Sequence, residues 1–197
     1  MLTILAILAF TAVTAFAQQP ATRVVLLGTG NPAADPDRSG PATAVVVNGT
    51  PYLVDFGPGV VRRAKAAALE RSMPALEPVN LRVAFVTHLH SDHTVGYPDL
   101  IFSPWVLGRR VPIDVYGPTG IKAMTSHILE AYSVDIETRT NEDGNQHDFP
   151  DGHKANAHDI RAGVVYKDKN VTVTAFPTKH AMESFGYRFD TADRSVV

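Results

Sequence analysis

The run Thr87-His88-Leu89-His90-Ser91-Asp92-His93 stands at the end of an apolar segment, Leu81 to Thr87, that reads as a strand. In an extended chain residues two apart share a face, so His88, His90 and Asp92 point one way while Leu89 and Ser91 point elsewhere. On a helix His88 and His90 would diverge. A loop after the strand swings His93 round to join them, and three neutral imidazoles with one carboxylate form a ligand set suited to zinc and other borderline divalent metals. The bland alternative is a polar surface loop. The chain has no cysteine, which excludes thiolate nucleophiles, disulfide scaffolds and sulfur-ligated sites, so any metal rests on His and carboxylates.

Around that run the pattern alternates. Thr22 to Leu27 reads as a buried strand, and Ala42 to Val47 with Pro51 to Asp55 reads as a hairpin about Asn48-Gly49. From Gly59 to Arg71, Val60, Val61, Ala64, Ala67 and Ala68 recur at helical spacing, with Arg62, Arg63, Lys65 and Arg71 mostly opposite. Val111 to Tyr116 is a further strand. Ile121, Met124, Ile128 and Ala131 mark a second helix after the Gly117-Pro118 turn. Residues 138 to 158 are polar and turn-rich, and Gly163 to Tyr166, Val171 to Phe176 and Phe185 to Phe189 return to strands. The class is α/β, with no internal repeat and no interdomain linker. The 197 residues suffice for one sizeable core, burying about 70% of the extended chain's surface. With 18 Lys+Arg against 20 Asp+Glu the formal charge is −2, leaving no global positive excess for gripping phosphate backbones, so nucleic acid is not an expected partner.

Residues 1 to 22 carry no charge; Ile4 to Phe10 is unbroken apolar and Ala15-Phe16-Ala17 precedes polar Gln18-Gln19-Pro20. This reads as a secretory signal peptide over 1–17, cleaved after Ala17, with residues 18–197 as the domain. The apolar stretch is short of the roughly 20 residues a bilayer span needs, so no stable membrane span is expected after cleavage, and the protein is expected to be secreted or periplasmic. An uncleaved anchor, or a start codon placed too late, are the alternatives. At the other end Arg194-Ser195-Val196-Val197 is a β-prone run with no turn or cap behind it, which reads as a truncated chain.

The His-rich run resembles the H-x-H-x-D-H signature of the metallo-β-lactamase superfamily, and the chain is similar to its ribonuclease Z and secreted arylsulfatase-like branch. Leu27-Gly28-Thr29-Gly30-Asn31-Pro32 resembles the first strand and loop of that branch. Val54-Asp55-Phe56-Gly57 resembles its second motif, Tyr116-Gly117-Pro118-Thr119-Gly120 its strand-to-helix turn, and His180 to Arg188 the segment supplying a further metal-binding histidine. The resemblance implies an αββα sandwich in which His88, His90 and His180 hold one zinc, Asp92 and His93 a second, and Asp55 braces the ligand loop; the alternatives are a satisfied surface or core histidine for His180 and a simple turn carboxylate before Gly57 for Asp55. Asp92 would also orient the nucleophile. Two zinc ions per complete domain, or another divalent metal, would cleave a sulfate ester or phosphodiester by a zinc-bound hydroxide.

The same resemblance places a bridging aspartate and a final histidine beyond residue 197. Most of the second half would then be missing, one sheet face would be bare, and the chain would be neither stable nor fully active. Ribonuclease Z proteins of this type carry a tRNA-gripping arm after the Gly-Tyr-Arg segment, whereas here Phe189 to Asp193 runs straight into the last strand. That favours a small-molecule ester substrate. A β-lactam or lactone hydrolase on the same centre, and a non-enzymatic metal-binding protein, are the rival readings; a homodimer is a further expectation.

Other signals are weaker. Gly28-Thr29-Gly30-Asn31-Pro32-Ala33 fits a dinucleotide pattern, but Pro32, Asp35, Pro36 and Asp37 forbid the helix that must follow. His147, His153 and His158 read as a solvated loop, with the entrance to the site as the alternative, and His127 as a surface or boundary residue. Trp105, with Phe102 and Pro104, belongs either to the core or beside the substrate cleft.

Overall fold

The computed structural model describes residues 21–147 and 149–197; the expected leader over 1–17 lies outside the described residues. The chain enters as an antiparallel meander, β1 (Thr22–Gly28), β2 (Ala42–Val47) and β3 (Thr50–Val54). Asn48 and Gly49 join β2 to β3 with φ of 48° and 77°. Two successive positive φ values match the twist of flanking strands in a two-residue turn, which is why Asn-Gly marks the hairpin.

Helix α1 (Val60–Glu70) buries Val60, Val61, Ala64, Ala67 and Ala68 against this sheet. Two short 3₁₀ turns, Pro74–Leu76 and Pro78–Asn80, lead to β4 (Val83–Phe85). There follow α2 (Ser91–Thr94), α3 (Tyr97–Val106), β5 (Ile113–Gly117), α4 (Ile121–Ala131), α5 (Ser133–Thr140) and β6 (Ala155–Asp159). The first sheet has the order β1-β2-β3-β4-β5-β6, with β3 to β6 joined in parallel. A second, antiparallel sheet runs β10-β9-β8-β7, from β7 (Gly163–Lys167), β8 (Val171–Pro177), β9 (Phe185–Thr191) and β10 (Ser195–Val196).

Strand alternation divides the core in two. Leu53, Ala84, Val86, Ile113 and Val115 face α1, α3 and α4. Tyr52, Val83 and Phe85, one residue out of step, face Val171, Val173, Phe185, Tyr187 and Phe189 of the second sheet. The helices therefore pack on the first sheet, and Thr172, Thr174, Arg188 and Asp190 lie on the outward positions of the second. The expected α/β class and the αββα arrangement as far as its first three layers are present.

Four elements were not expected. Helix α2 takes up residues 91–94, so the His-rich run is extended only as far as His90 and Asp92 does not share its face with His88 and His90. Helix α3 contains Pro98 and Pro104. Pro98 sits in the first turn, where a missing N–H costs nothing, and Pro104 sits in the last, where an arginine described below compensates. Helix α5 buries no side chain fully and is supported locally, by Arg139 on Asp135 at 2.9 Å and by Thr138 and Thr140 bonding carbonyls four residues back. Strand β6, Ala-Asn-Ala-His-Asp, has weak strand propensity and forms because β5 offers an open edge, pairing Ile113 with Ala155 through Gly117 with Asp159. His158 thus belongs to a strand, stacked on Tyr116 with centroids 4.5 Å apart, and His153 packs on Trp105 at 5.1 Å. Both differ from the solvated loop expected. Trp105 is a core residue, fully buried, with Nε1–H donating to the Phe149 carbonyl at 3.1 Å.

One carboxylate fastens the two sheets together. Asp168, in the β7–β8 turn, accepts the backbone N–H groups of Asn170 at 2.7 Å and Val171 at 2.9 Å, and the hydroxyls of Tyr52 at 2.5 Å and Tyr166 at 3.1 Å. Burial alone would raise its pKa, but these four donors outweigh burial and hold it below the usual carboxylate range. Its folded pKa is thus below its unfolded value of about 3.9, so the stabilisation is complete above that value and is lost as pH falls through the folded pKa. Asp168→Asn is expected to lower stability by about 1–2 kcal/mol at pH 7, the low end for charged hydrogen bonds because solvent reaches the group. In urea titrations the gap between variant and wild type should narrow as pH falls below the unfolded value of about 3.9 and close as Asp168 protonates in the folded state; a gap independent of pH would contradict the assignment.

Candidate metal centre

The parallel strands end together, with the Asp55 N–H donating to the Phe85 carbonyl and the Val86 N–H to that of Tyr116. Immediately beyond β3, Asp55 takes φ 62°, a left-handed conformation that Asp tolerates better than most residues and that turns its buried carboxylate toward the end of β4. There it accepts the Thr87 N–H at 2.8 Å, the Thr87 hydroxyl at 3.0 Å and His93 Nδ1–H at 2.8 Å. The bracing expected of Asp55 is thus present as three hydrogen bonds. Thr87, which the sequence reading did not single out, is the relay. With its single proton on Asp55, its oxygen, 2.9 Å from His88 Nδ1, accepts from that nitrogen. This network assigns the Nδ1–H tautomer to both His88 and His93 and leaves each Nε2 with a free lone pair.

Helix α2 carries His93 and Asp92 close to the β3–α1 loop. The Phe56 N–H donates to the His93 carbonyl, and a Cβ on Gly57 would lie 2.4 Å from the Asp92 carbonyl oxygen. Only glycine permits that approach.

His180 arrives from the second sheet. The Phe185 N–H donates to the Thr87 carbonyl at 2.9 Å and the Tyr187 hydroxyl to the Val86 carbonyl at 2.7 Å, which registers β9 on the end of β4. His180 Nε2 lies 3.1 Å from His90 Nδ1, which lies 3.0 Å from His88 Nε2. The ligand atoms of His88, His90 and His180 all fall within 4.8 Å of one another. Asp92 and His93 form a separate pair beside them, Oδ2 to Nε2 3.5 Å, with the His93 ring centroid 4.1 Å from that of His88. All five residues expected as ligands therefore converge, as a trio and a pair. His127, His147, His153 and His158 do not belong to the trio.

The donor chemistry fits cations. His88 contributes no proton to the space between the three rings, and His90 Nδ1 is either donor or acceptor but not both, so at most one of the two close contacts, His88–His90 and His180–His90, can be an ordinary hydrogen bond. Ligands of a tetrahedral zinc at about 2.0–2.1 Å lie about 3.4 Å apart, near the separations seen in both groups. Burial, then the rings of His93 and His180, lower the pKa of His88 and keep its lone pair available. For His93 burial acts the same way but is outweighed by the hydrogen bond and charge of Asp55 and by Asp92, so its pKa is raised. A position flanked by two carboxylates favours positive charge. His88, His90 and His180 could hold one divalent metal with a position left open, and Asp92 with His93 supplies two ligands toward a second.

Comparison with known proteins agrees with this geometry. A family model described as a beta-lactamase superfamily domain matches residues 50–197. Ribonuclease Z of Mycobacterium sp. (strain KMS) is 35% identical over 178 residues, covering 88% of this chain and 59% of that protein. The crystal structure of human tRNase Z, short form, superposes with a TM-score of 0.64 at 22% identity, over 87% of this chain and 66% of that one. Zn²⁺-bound PqqB of Methylobacterium extorquens gives a TM-score of 0.58 at 16% identity, over 87% and 60%. The chain spans about 59% of the length of the curated relative. With most of its residues matched to the family's domain and its fold shared with these structures, the chain belongs to the metallo-β-lactamase superfamily.

Proposed function

We propose that the protein is a metal-dependent hydrolase of phosphoric or sulfuric esters of small molecules, with zinc as its metal. The observation that carries this reading is the convergence of His88, His90 and His180, ligand atoms within 4.8 Å, beside the Asp92–His93 pair. A divalent cation there lowers the pKa of bound water from about 16 toward 7 and neutralises charge on the attacked ester.

The chain's own residues do the rest. Thr87 holds the Nδ1 proton of His88, and Asp55 that of His93, so both rings present Nε2 without tautomeric exchange. Asp92, beside His93, would supply a carboxylate ligand and an acceptor that orients the water. Asp92 also lines a cleft of about 240 Å³ with Asn31, Pro32, Ala33, Pro58 and Val95, open space beside the pair that an ester could occupy. Ribonuclease Z, the name of the 35% identical relative, denotes an enzyme acting on RNA, a phosphodiester, which supports the bond type. A small substrate is supported by the formal charge of −2 and by the short β9–β10 turn, closed by the Thr191 N–H on the Arg194 carbonyl. The apolar leader segment supports action in a secreted or periplasmic space.

The test is a panel assayed with the zinc-loaded chain: bis(p-nitrophenyl) phosphate, p-nitrophenyl sulfate, nitrocefin and a precursor tRNA. Chelator-sensitive release of nitrophenol from the first or second is expected. Turnover of nitrocefin or tRNA alone, or none of the four with zinc bound, would overturn the reading.

A further inference from the structure

We propose that Glu183 is a positioning residue that holds His180 over the His88–His90 pair, an inference resting on the metal-site reading above. Strand β8 ends at Pro177 and β9 begins at Phe185. The segment between them is clamped at its base, where the Thr178 N–H donates to the Ser184 carbonyl at 2.9 Å and their hydroxyls share a hydrogen bond of 2.7 Å. The tip, residues 179 to 183, is exposed, and His180 sits within it. Among the described residues two polar side-chain contacts tie this tip to the first sheet, beside the packing of the His180 ring on that of His88, centroids 4.3 Å apart. One is the approach of His180 Nε2 to His90 Nδ1 at 3.1 Å, a contact between two nitrogens that the metal-site reading makes ligands. The other is Glu183, whose Oε2 accepts the Thr119 N–H at 2.8 Å.

The anchor point is well suited. Thr119 and Gly120 open α4, a helix with no acidic residue in its own first turn and no side-chain cap of its own. Donors at and just before its start are satisfied from elsewhere: Asp159 at the end of β6 accepts from Gly120 at 3.1 Å and Lys122 at 3.3 Å, and Glu183 accepts from Thr119, one residue ahead of the N-cap. Both carboxylates sit at the positive end of the helix dipole, where negative charge is favoured. The same turn seats the other half of the trio. A Cβ on Gly120 would lie 3.2 Å from Leu89 Cδ1, so Leu89, between His88 and His90, rests on this glycine. The start of α4 is thus a common footing. Leu89 sets the two imidazoles of the first sheet on it, and Glu183 sets the third imidazole, 90 residues away in sequence from His90.

A residue that fixes a ligand without touching the metal typically changes affinity 10- to 100-fold when removed. The test measures binding of cobalt(II) alone to the full chain, by chelator competition and by the visible ligand-field spectrum, for wild type, Glu183→Ala and Glu183→Gln. Glu183→Ala is expected to weaken binding about 10-fold or more and to reduce the tetrahedral-type absorption as His180 leaves the coordination sphere. Glu183→Gln keeps an acceptor oxygen for the Thr119 N–H and is expected to restore most of both. Equal affinity and spectra for wild type and Glu183→Ala would overturn the role of Glu183 alone. Failure of the wild-type chain to take up cobalt would overturn the metal-site reading and this inference with it.

Discussion

His90→Ala is expected to abolish zinc uptake while leaving the metal-free chain at least as stable as before. His90 is the hinge of the trio: its Nδ1 stands 3.0 Å from His88 Nε2 and 3.1 Å from His180 Nε2. In the metal-free state at most one of these two contacts can be a hydrogen bond and the other is left unpaired, so removing the middle ring costs little, the more so as His90 is only half-buried. In the metal-bound state the same substitution deletes a direct ligand, a larger loss than the roughly 10- to 100-fold caused by losing a supporting residue. Thermal melting separates the two. At zinc 100 times its dissociation constant, binding stabilises the native state by about 2.7 kcal/mol. For a domain of this size that is a rise in Tm of roughly 5–11 °C. The wild type should show that rise and the variant should not; a variant that keeps it would remove His90 from the site.

The sequence carried this site further than it carried the fold around it, for a physical reason. Ligands within one strand-to-loop run declare themselves through period-two spacing, which groups His88 with His90; the period ends there, because residues 91–94 turn into α2 and set Asp92 beside His93 instead. His180 sits on an exposed tip in no regular element and carries no such period; only the flanking Phe185-Gly186-Tyr187-Arg188 pointed to it, by resemblance. Thr87 and Glu183 act through a hydroxyl and a carboxylate aimed at backbone and ring N–H groups, and a lone threonine or glutamate announces no partner. The amphipathic α1 and the Asn48-Gly49 hairpin were legible because local pattern and tertiary role coincide. Strand β6 and helix α3 were not, because each depends on something distant: the open edge of β5 in one case, and a buried cation in the other.

That cation makes Arg109→Met the substitution expected to damage the fold most. Arg109 is 1% exposed, and its guanidinium donates to four carbonyls, those of Leu81 at 3.1 Å, Leu100 at 3.0 Å, Ile101 at 2.7 Å and Gly152 at 3.0 Å. The Leu100 carbonyl is the one a helical N–H at position 104 would have bonded, and Pro104 has none. Arg109 thus supplies the donor that the proline removes, and fastens the last turn of α3 to the approach to β4 and to the turn preceding β6. Burial, and then Arg82, lower its pKa to about 10, which leaves it charged at neutral pH. Methionine fills the stem but offers no donor, and each buried carbonyl left unpaired costs about 1–3 kcal/mol, less where water enters. The expected loss is about 3–5 kcal/mol by urea unfolding, or roughly 6–20 °C in Tm. Arg109→Lys, with three donors on a flexible stem, should recover only part of it, because an ammonium cannot reproduce the planar fork. Arg109 contacts the segment entering β4, whereas the ligand run leaves its other end, so zinc affinity measured well below the melting temperature should stay at the wild-type value. A variant within 1 kcal/mol of wild type would mean that those carbonyls are hydrated rather than dependent on the guanidinium.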